Sequence, residues 1–81
     1  MKEIHYNCQG TCSVGIDIVI DDEDRLQSVQ FIGGCPGNTT GVSRLIVGMK
    51  CDEAIARLKG IPCGDKPTSC PDQLAKALET R

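Results

Sequence analysis

The sequence predicts a small α+β domain in which an antiparallel sheet of two or three strands carries three helices on one face. Three observations lead there. Two β-branched runs flank an acidic turn early in the chain. Three segments with helical spacing of apolar residues follow them. The 81 residues include six cysteines but one tyrosine, one phenylalanine and no tryptophan, so the core is built from Ile, Val, Leu and Ala and is thin enough to gain from a staple. No change of composition, repeat or low-complexity stretch divides the chain, and residues 1–81 read as one domain.

Ile4 and Tyr6 alternate with polar neighbours, which predicts a short edge strand over residues 2–7. Cys8-Gln9-Gly10-Thr11-Cys12-Ser13 is a turn with two thiols. A strand over Val14 to Ile20 shows Ile16, Ile18 and Ile20 on one face, and Asp21-Asp22-Glu23-Asp24 is a solvated turn without the spacing or glycine of a calcium loop. Leu26 to Ile32 is the next strand, ended by Gly33-Gly34. A turn centred near Glu23 and Asp24 pairs residues whose numbers sum to 47, so Ile20 is expected opposite Gln27 and Cys12 opposite Cys35.

Cys35 to Gly41 reads as a glycine-rich turn into a helix capped by Asn38 or a threonine, with Val42, Leu45, Ile46 and Met49 as its apolar stripe. After a turn at Gly48 to Cys51, Asp52 and Glu53 open a second helix that shows Ala54, Ile55 and Leu58 and stops at Gly60. A Gly/Pro-rich loop then leads to the last helix, from Pro71 to about Glu79, with Leu74, Ala75 and Leu78 inward. Ser69 and Asp72 have the spacing of a capping box, and Pro71 suits a first helical position. Cys70 therefore sits at a helix mouth, where unpaired N–H groups favour the thiolate.

This order brings Cys12, Cys35, Cys63 and Cys70 to one end of the domain. Cys51 falls at the opposite end as a buried or surface thiol, and the place of Cys8 is open. Four convergent thiolates fit structural zinc or an iron–sulfur cluster, which ligand type alone does not separate. A redox pair, Cys63 with Cys70 or Cys12 with Cys35, and plain buried thiols are the other readings. The first residues, Met1-Lys2-Glu3-Ile4-His5-Tyr6, have no apolar signal core, and no run is long enough to span a bilayer. Cytoplasmic residence is expected, where thiols stay reduced and metal or redox chemistry comes before a disulfide framework. The net charge is −2 with scattered basic residues, which gives no footprint for nucleic acid. His5 reads as a surface strand residue, and nothing resembles a complete enzyme active site.

Thr68-Ser69-Cys70-Pro71-Asp72 spells the motif of the TSCPD domain family. Gly10-Thr11-Cys12-Ser13, Gly33-Gly34-Cys35-Pro36-Gly37-Asn38 and Leu58-Lys59-Gly60-Ile61-Pro62-Cys63-Gly64 resemble the other motifs of its short, stand-alone branch with four cysteines. The resemblance covers nearly the whole chain and maps those cysteines onto Cys12, Cys35, Cys63 and Cys70, with Cys8 and Cys51 as extras. Similar domains occur at the C-terminal end of adenosylcobalamin-dependent ribonucleotide reductases. The resemblance thus implies an accessory module that binds zinc or an iron–sulfur cluster, with a ribonucleotide reductase or another protein as partner. Its alternative is a thiol redox component supporting ribonucleoside-diphosphate reduction in DNA synthesis. One small domain has no room for the cobalamin-binding radical barrel, so a whole reductase is excluded.

The order of cysteines and elements also resembles, more distantly, iron–sulfur scaffolds of the NifU N-terminal type. Cys12, Cys35, Asp52-Glu53-Ala54 and Cys70 stand where that family has its motifs. Val14 stands in place of the scaffold's aspartate and Ser69 in place of its histidine, no chaperone-docking segment lies between Ile61 and Thr68, and Cys63 offers a fourth thiolate. These departures favour a closed, stable site over a labile transfer site.

Overall fold

The computed structural model describes residues 1–11, 13–34 and 36–81, with Pro36 through its backbone. Three strands, β1 (Lys2–Asn7), β2 (Ser13–Ile20) and β3 (Leu26–Gly33), form an antiparallel sheet in the order β1-β2-β3. Three helices follow: α1 (Pro36–Ile46), α2 (Cys51–Leu58) and α3 (Cys70–Glu79). The α+β class and the order of its elements are those the sequence predicts. Among the described residues no helix is long and apolar enough to cross a membrane.

Strand β2 is central, and its alternation decides which face is covered. Ile16, Ile18 and Ile20 are buried together with Leu26 and Val29 of β3, while Asp17 points to the open face beside His5. The helices complete this core with Ile46, Cys51, Ala54, Leu74, Ala77 and Leu78.

The expected register holds through the middle of the hairpin, where Val19 faces Ser28, Ile18 faces Val29 and Ile16 faces Phe31. It shifts at both ends. Ile20 faces Leu26, not Gln27, because the turn is wound tightly: Asp21 Oδ1 accepts the N–H groups of Glu23 and Arg25, each at 2.9 Å. At the other end Ser13 faces Gly33 and Gly15 faces Ile32, which leaves Val14 as the extra residue of a bulge. The bulge reverses the alternation, so Ser13 turns inward and Val14 outward, 64% exposed. The expected pairing of Cys12 with Cys35 lies outside the described residues.

Helix α1 differs from its sequence pattern in phase and extent. Its buried face carries Thr39, Ser43 and Ile46 with Val42 half-buried, whereas Leu45 is 80% exposed. Polar residues can take that face because they are satisfied there: the Ser43 hydroxyl donates to the Thr39 carbonyl at 2.7 Å. The helix begins at Pro36, so Asn38 lies inside it, and it ends at Ile46, so Met49 is beyond it. Gly48 N–H then donates to the Leu26 carbonyl and Leu26 N–H to the Met49 carbonyl, which ties the α1–α2 link to the start of β3.

Helix α2 opens after Lys50 and stops before Gly60, whose φ of +84° is the left-handed conformation that glycine adopts without penalty. Helix α3 is capped by Ser69, whose Oγ accepts the Asp72 N–H at 3.2 Å. Leu74, Ala75 and Leu78 are fully buried, as their spacing requires.

Candidate thiol site

The first turn of α3 is where the loops of the molecule meet. Asp72, 2% exposed, does not return its carboxylate to the capping residue. Instead Oδ1 accepts Gly60 N–H at 2.6 Å and Oδ2 accepts the Thr68 hydroxyl at 2.5 Å. Lys76 Nζ lies 3.3 Å from the same Oδ2. The Thr68 hydroxyl and Gly60 N–H hold the Asp72 carboxyl below the usual carboxylate range, against the opposing effect of burial and with help from Lys76. Gln73 adds a second tie: its Nε2 donates to Thr68 Oγ1 at 2.9 Å, and its Oε1 accepts Gln9 N–H at 3.0 Å. The 60–68 loop and the 8–13 loop are thereby fastened to one helix terminus.

Cys70 is the first residue of α3 and is half-buried. Its Sγ lies 2.9 Å from Ser13 Oγ, the hydroxyl that the β2 bulge turns inward. Cys63 is exposed on a tight turn, where its N–H and carbonyl bond the carbonyl and N–H of Lys66 at 3.2 and 3.0 Å across Gly64 and Asp65. Cys63 and Cys70 both line a cleft of about 360 Å³ whose other walls include Phe31, Val42, Ile61 and Pro62. They also line a smaller hollow beside Thr11 and Thr68. Among the described residues neither space has a carboxylate in its wall, and Lys66 is the one charged residue beside the smaller hollow, so the chemistry on offer is that of thiols without a competing acid.

Cys12 and Cys35 lie outside the described residues, but their chain neighbours can be placed. Ser13 touches Cys70, and Thr11 shares the hollow with Cys63 and Cys70. Gly34 has φ +81°, and a Cβ on it would sit 2.6 Å from Ser13 Oγ. Among the described residues no group of three or more His, Cys, Asp or Glu side chains gathers as a metal site.

Cys8 is half-buried and packs against the core. Burial pushes its thiol up, a hydrogen bond with Thr11 opposes the rise, and negative charge on Cys70 adds to it. Cys51 is fully buried at the far end, pushed up to about 11 chiefly by burial and further by Asp24. His5 is away from the thiols on the open sheet face, its Nδ1 2.5 Å from Asp17 Oδ1. The Asp17 hydrogen bond and charge raise its pKa.

The model of the TSCPD domain matches residues 2–81. The chain belongs to the TSCPD domain family. No curated protein and no solved structure matches it. The geometry gives the letters of the TSCPD motif separate physical roles. Thr68 and Asp72 lock the loop to the helix, Ser69 caps it, Pro71 stands in its first turn, and Cys70 is left facing the cleft. Sequence spacing identified the cap and the thiol. The Asp72–Gly60 and Gln73–Gln9 bonds, and the approach of Ser13 to Cys70, were missed. They join residues far apart in the chain, and the only sequence signal was Asp72 in its capping-box position.

Proposed function

We propose that this TSCPD domain is a metal-binding accessory module, with Cys12, Cys35, Cys63 and Cys70 as thiolate ligands of zinc or an iron–sulfur cluster. The observation that carries the reading is the meeting of Ser13, Gly34 and Cys70. Ser13, the chain neighbour of Cys12, touches Cys70, and Gly34, the chain neighbour of Cys35, lies against Ser13, beside a cleft that Cys63 also lines. The donor set fits: thiols, apolar walls and no competing carboxylate suit a soft-ligand site. When bound, zinc would contribute folding free energy and a cluster would add electron transfer. The chain's own residues fix the donors. Asp72 and Gln73 pin the 60–68 and 8–13 loops, which carry Cys63 and Cys12, and Ser13 Oγ offers Cys70 a hydrogen-bond partner. The resemblance to reductase C-terminal domains makes a ribonucleotide reductase the partner to test first.

The test is elemental analysis and a visible spectrum of protein purified without oxygen. The expected result is about one zinc per chain without colour, or iron with sulfide and a brown protein. Single Cys→Ser changes at Cys12, Cys35, Cys63 or Cys70 should each release the metal and lower thermal stability, while Cys51→Ser should leave the metal in place. Metal-free protein with a stable fold and freely alkylated thiols would overturn the reading.

A second reading, a thiol redox component, is favoured by the exposure of Cys63 and by its lining one cleft with Cys70. It requires one pair only, so serine variants outside that pair would stay stable and active.

A further inference from the structure

Strand β3 has a free edge. The side facing away from β2 is paired at its start, where Leu26 bonds Met49 and Gly48; from Ser28 to Ile32 that side has no backbone partner among the described residues. The opposite edge of the sheet is β1, whose Lys2, Glu3 and His5 discourage strand addition. The free stretch of β3 carries no charge: its outward residues are Ser28, Gln30 and Ile32.

Helix α1 runs alongside that edge. Between them lies a groove of about 280 Å³, lined by Val29, Gln30 and Phe31 on one side and by Thr40, Ser43 and Arg44 on the other. A sheet edge beside a helix is the geometry in which extended peptides are bound by strand addition, with main-chain hydrogen bonds supplying affinity. Among the described residues the groove has no carboxylate. Arg44 stands exposed on its wall, and neither a hydrogen bond nor an ion pair joins it to any described residue. The chain's own acidic run, Asp21 to Asp24, is at the turn beyond the start of β3, away from the groove. Phe31 and Thr39 line both this groove and the thiol cleft, so the two are neighbours.

We propose that the β3 edge is a docking site for an extended acidic segment of a partner protein, which adds as a fourth strand and sets a carboxylate on Arg44. The charge left without a partner selects the acid, the uncharged edge accepts the backbone, and α1 closes the far side. A segment bound there runs beside the thiol cleft. The proposal is independent of what the thiols hold.

The test is an amide-resolved NMR titration of the whole chain with an acetylated, amidated hexapeptide of alternating valine and glutamate. Expected are saturable shifts confined to residues 28–32 and 39–44. A valine–lysine peptide should bind more weakly, and a peptide N-methylated at alternate amides should not bind. Arg44→Glu should weaken binding by about threefold or more, with the thermal midpoint and the metal content of the protein unchanged. Absence of shifts at millimolar peptide, or shifts on β1, would overturn the proposal. So would an equal response to inorganic phosphate at Arg44, which marks a small-anion site. A dimer in sedimentation equilibrium that the peptide does not disperse would also overturn it, because a second copy then covers the edge.

Discussion

Asp72 shows how one side chain can set the shape of a site without taking part in its chemistry. Its carboxylate is almost wholly buried and accepts two short hydrogen bonds, from Gly60 N–H and the Thr68 hydroxyl, at the two ends of the loop that carries Cys63. An amide of the same shape can accept only through one oxygen, and its NH₂ would confront a donor. Asp72→Asn should therefore cost about 2 kcal/mol, the range of a buried charge-assisted hydrogen bond left unmade, read as a lower urea midpoint. The pH dependence follows from the lowered pKa. The ionised form is preferred in the folded state, so the stabilisation is complete above the unfolded carboxylate value of about 3.9 and is lost as pH falls through the folded value below it. The stability curve of Asp72→Asn should accordingly be flatter than that of the parent on the acid side, below about pH 5. An equal acid slope in both proteins would assign the loss to other carboxylates.

Among the elements, β2 and α3 were the most legible in the sequence. Three isoleucines alternate along β2, and Ser69 with Pro71 and Asp72 writes out the start of α3. What could not be read is where local pattern yields to tertiary demand. The α1 stripe of Val42, Leu45, Ile46 and Met49 looks like a core face. Yet Thr39 and Ser43 are buried in preference to Leu45, because a hydroxyl bonded within the helix can be covered while the leucine falls on the outer side. The bulge at Val14 is equally silent in sequence, and it decides that Ser13 and not Val14 faces Cys70. Ser13, at the edge of that bulge, packs closely against Gly34. With φ at +81° and Ser13 Oγ 2.6 Å from the position of a Cβ, Gly34→Ala meets both backbone strain and a clash. The change should cost about 1–3 kcal/mol, measured by urea denaturation. Adding Ser13→Ala should recover the share due to the hydroxyl and leave the backbone strain together with the 3.1 Å approach to Ser13 N; full recovery would show that neither of these contributes.

On the scale of the whole molecule, two polar clamps hold opposite ends of a thin apolar core. One is the Asp72 and Gln73 network at the thiol end. The other centres on Arg81, whose guanidinium forms a fork on Asp24, at 2.9 and 3.0 Å, and reaches Asp52 Oδ1 at 2.7 Å and the Leu78 carbonyl at 2.9 Å. It thus joins the chain just past α3 to the β2–β3 turn and to the first turn of α2. Asp24 itself sits at φ +62° and accepts Cys51 N–H at 2.9 Å, so the turn, the buried thiol and the guanidinium share one set of contacts. The Arg81 guanidinium holds the Asp24 carboxyl below its usual range. Arg81→Ala should lower the urea midpoint by less than Asp72→Asn does, because Asp24 and Asp52 return to solvent whereas the partners of Asp72 stay covered. Arg81→Lys keeps the charge but loses the fork, so it should recover only part of the difference. The gap between parent and Arg81→Ala should also narrow in about 1 M salt, where charges are screened within about 3 Å. A gap unchanged by salt would place the contribution of Arg81 in its packing against α3 and not in its charge.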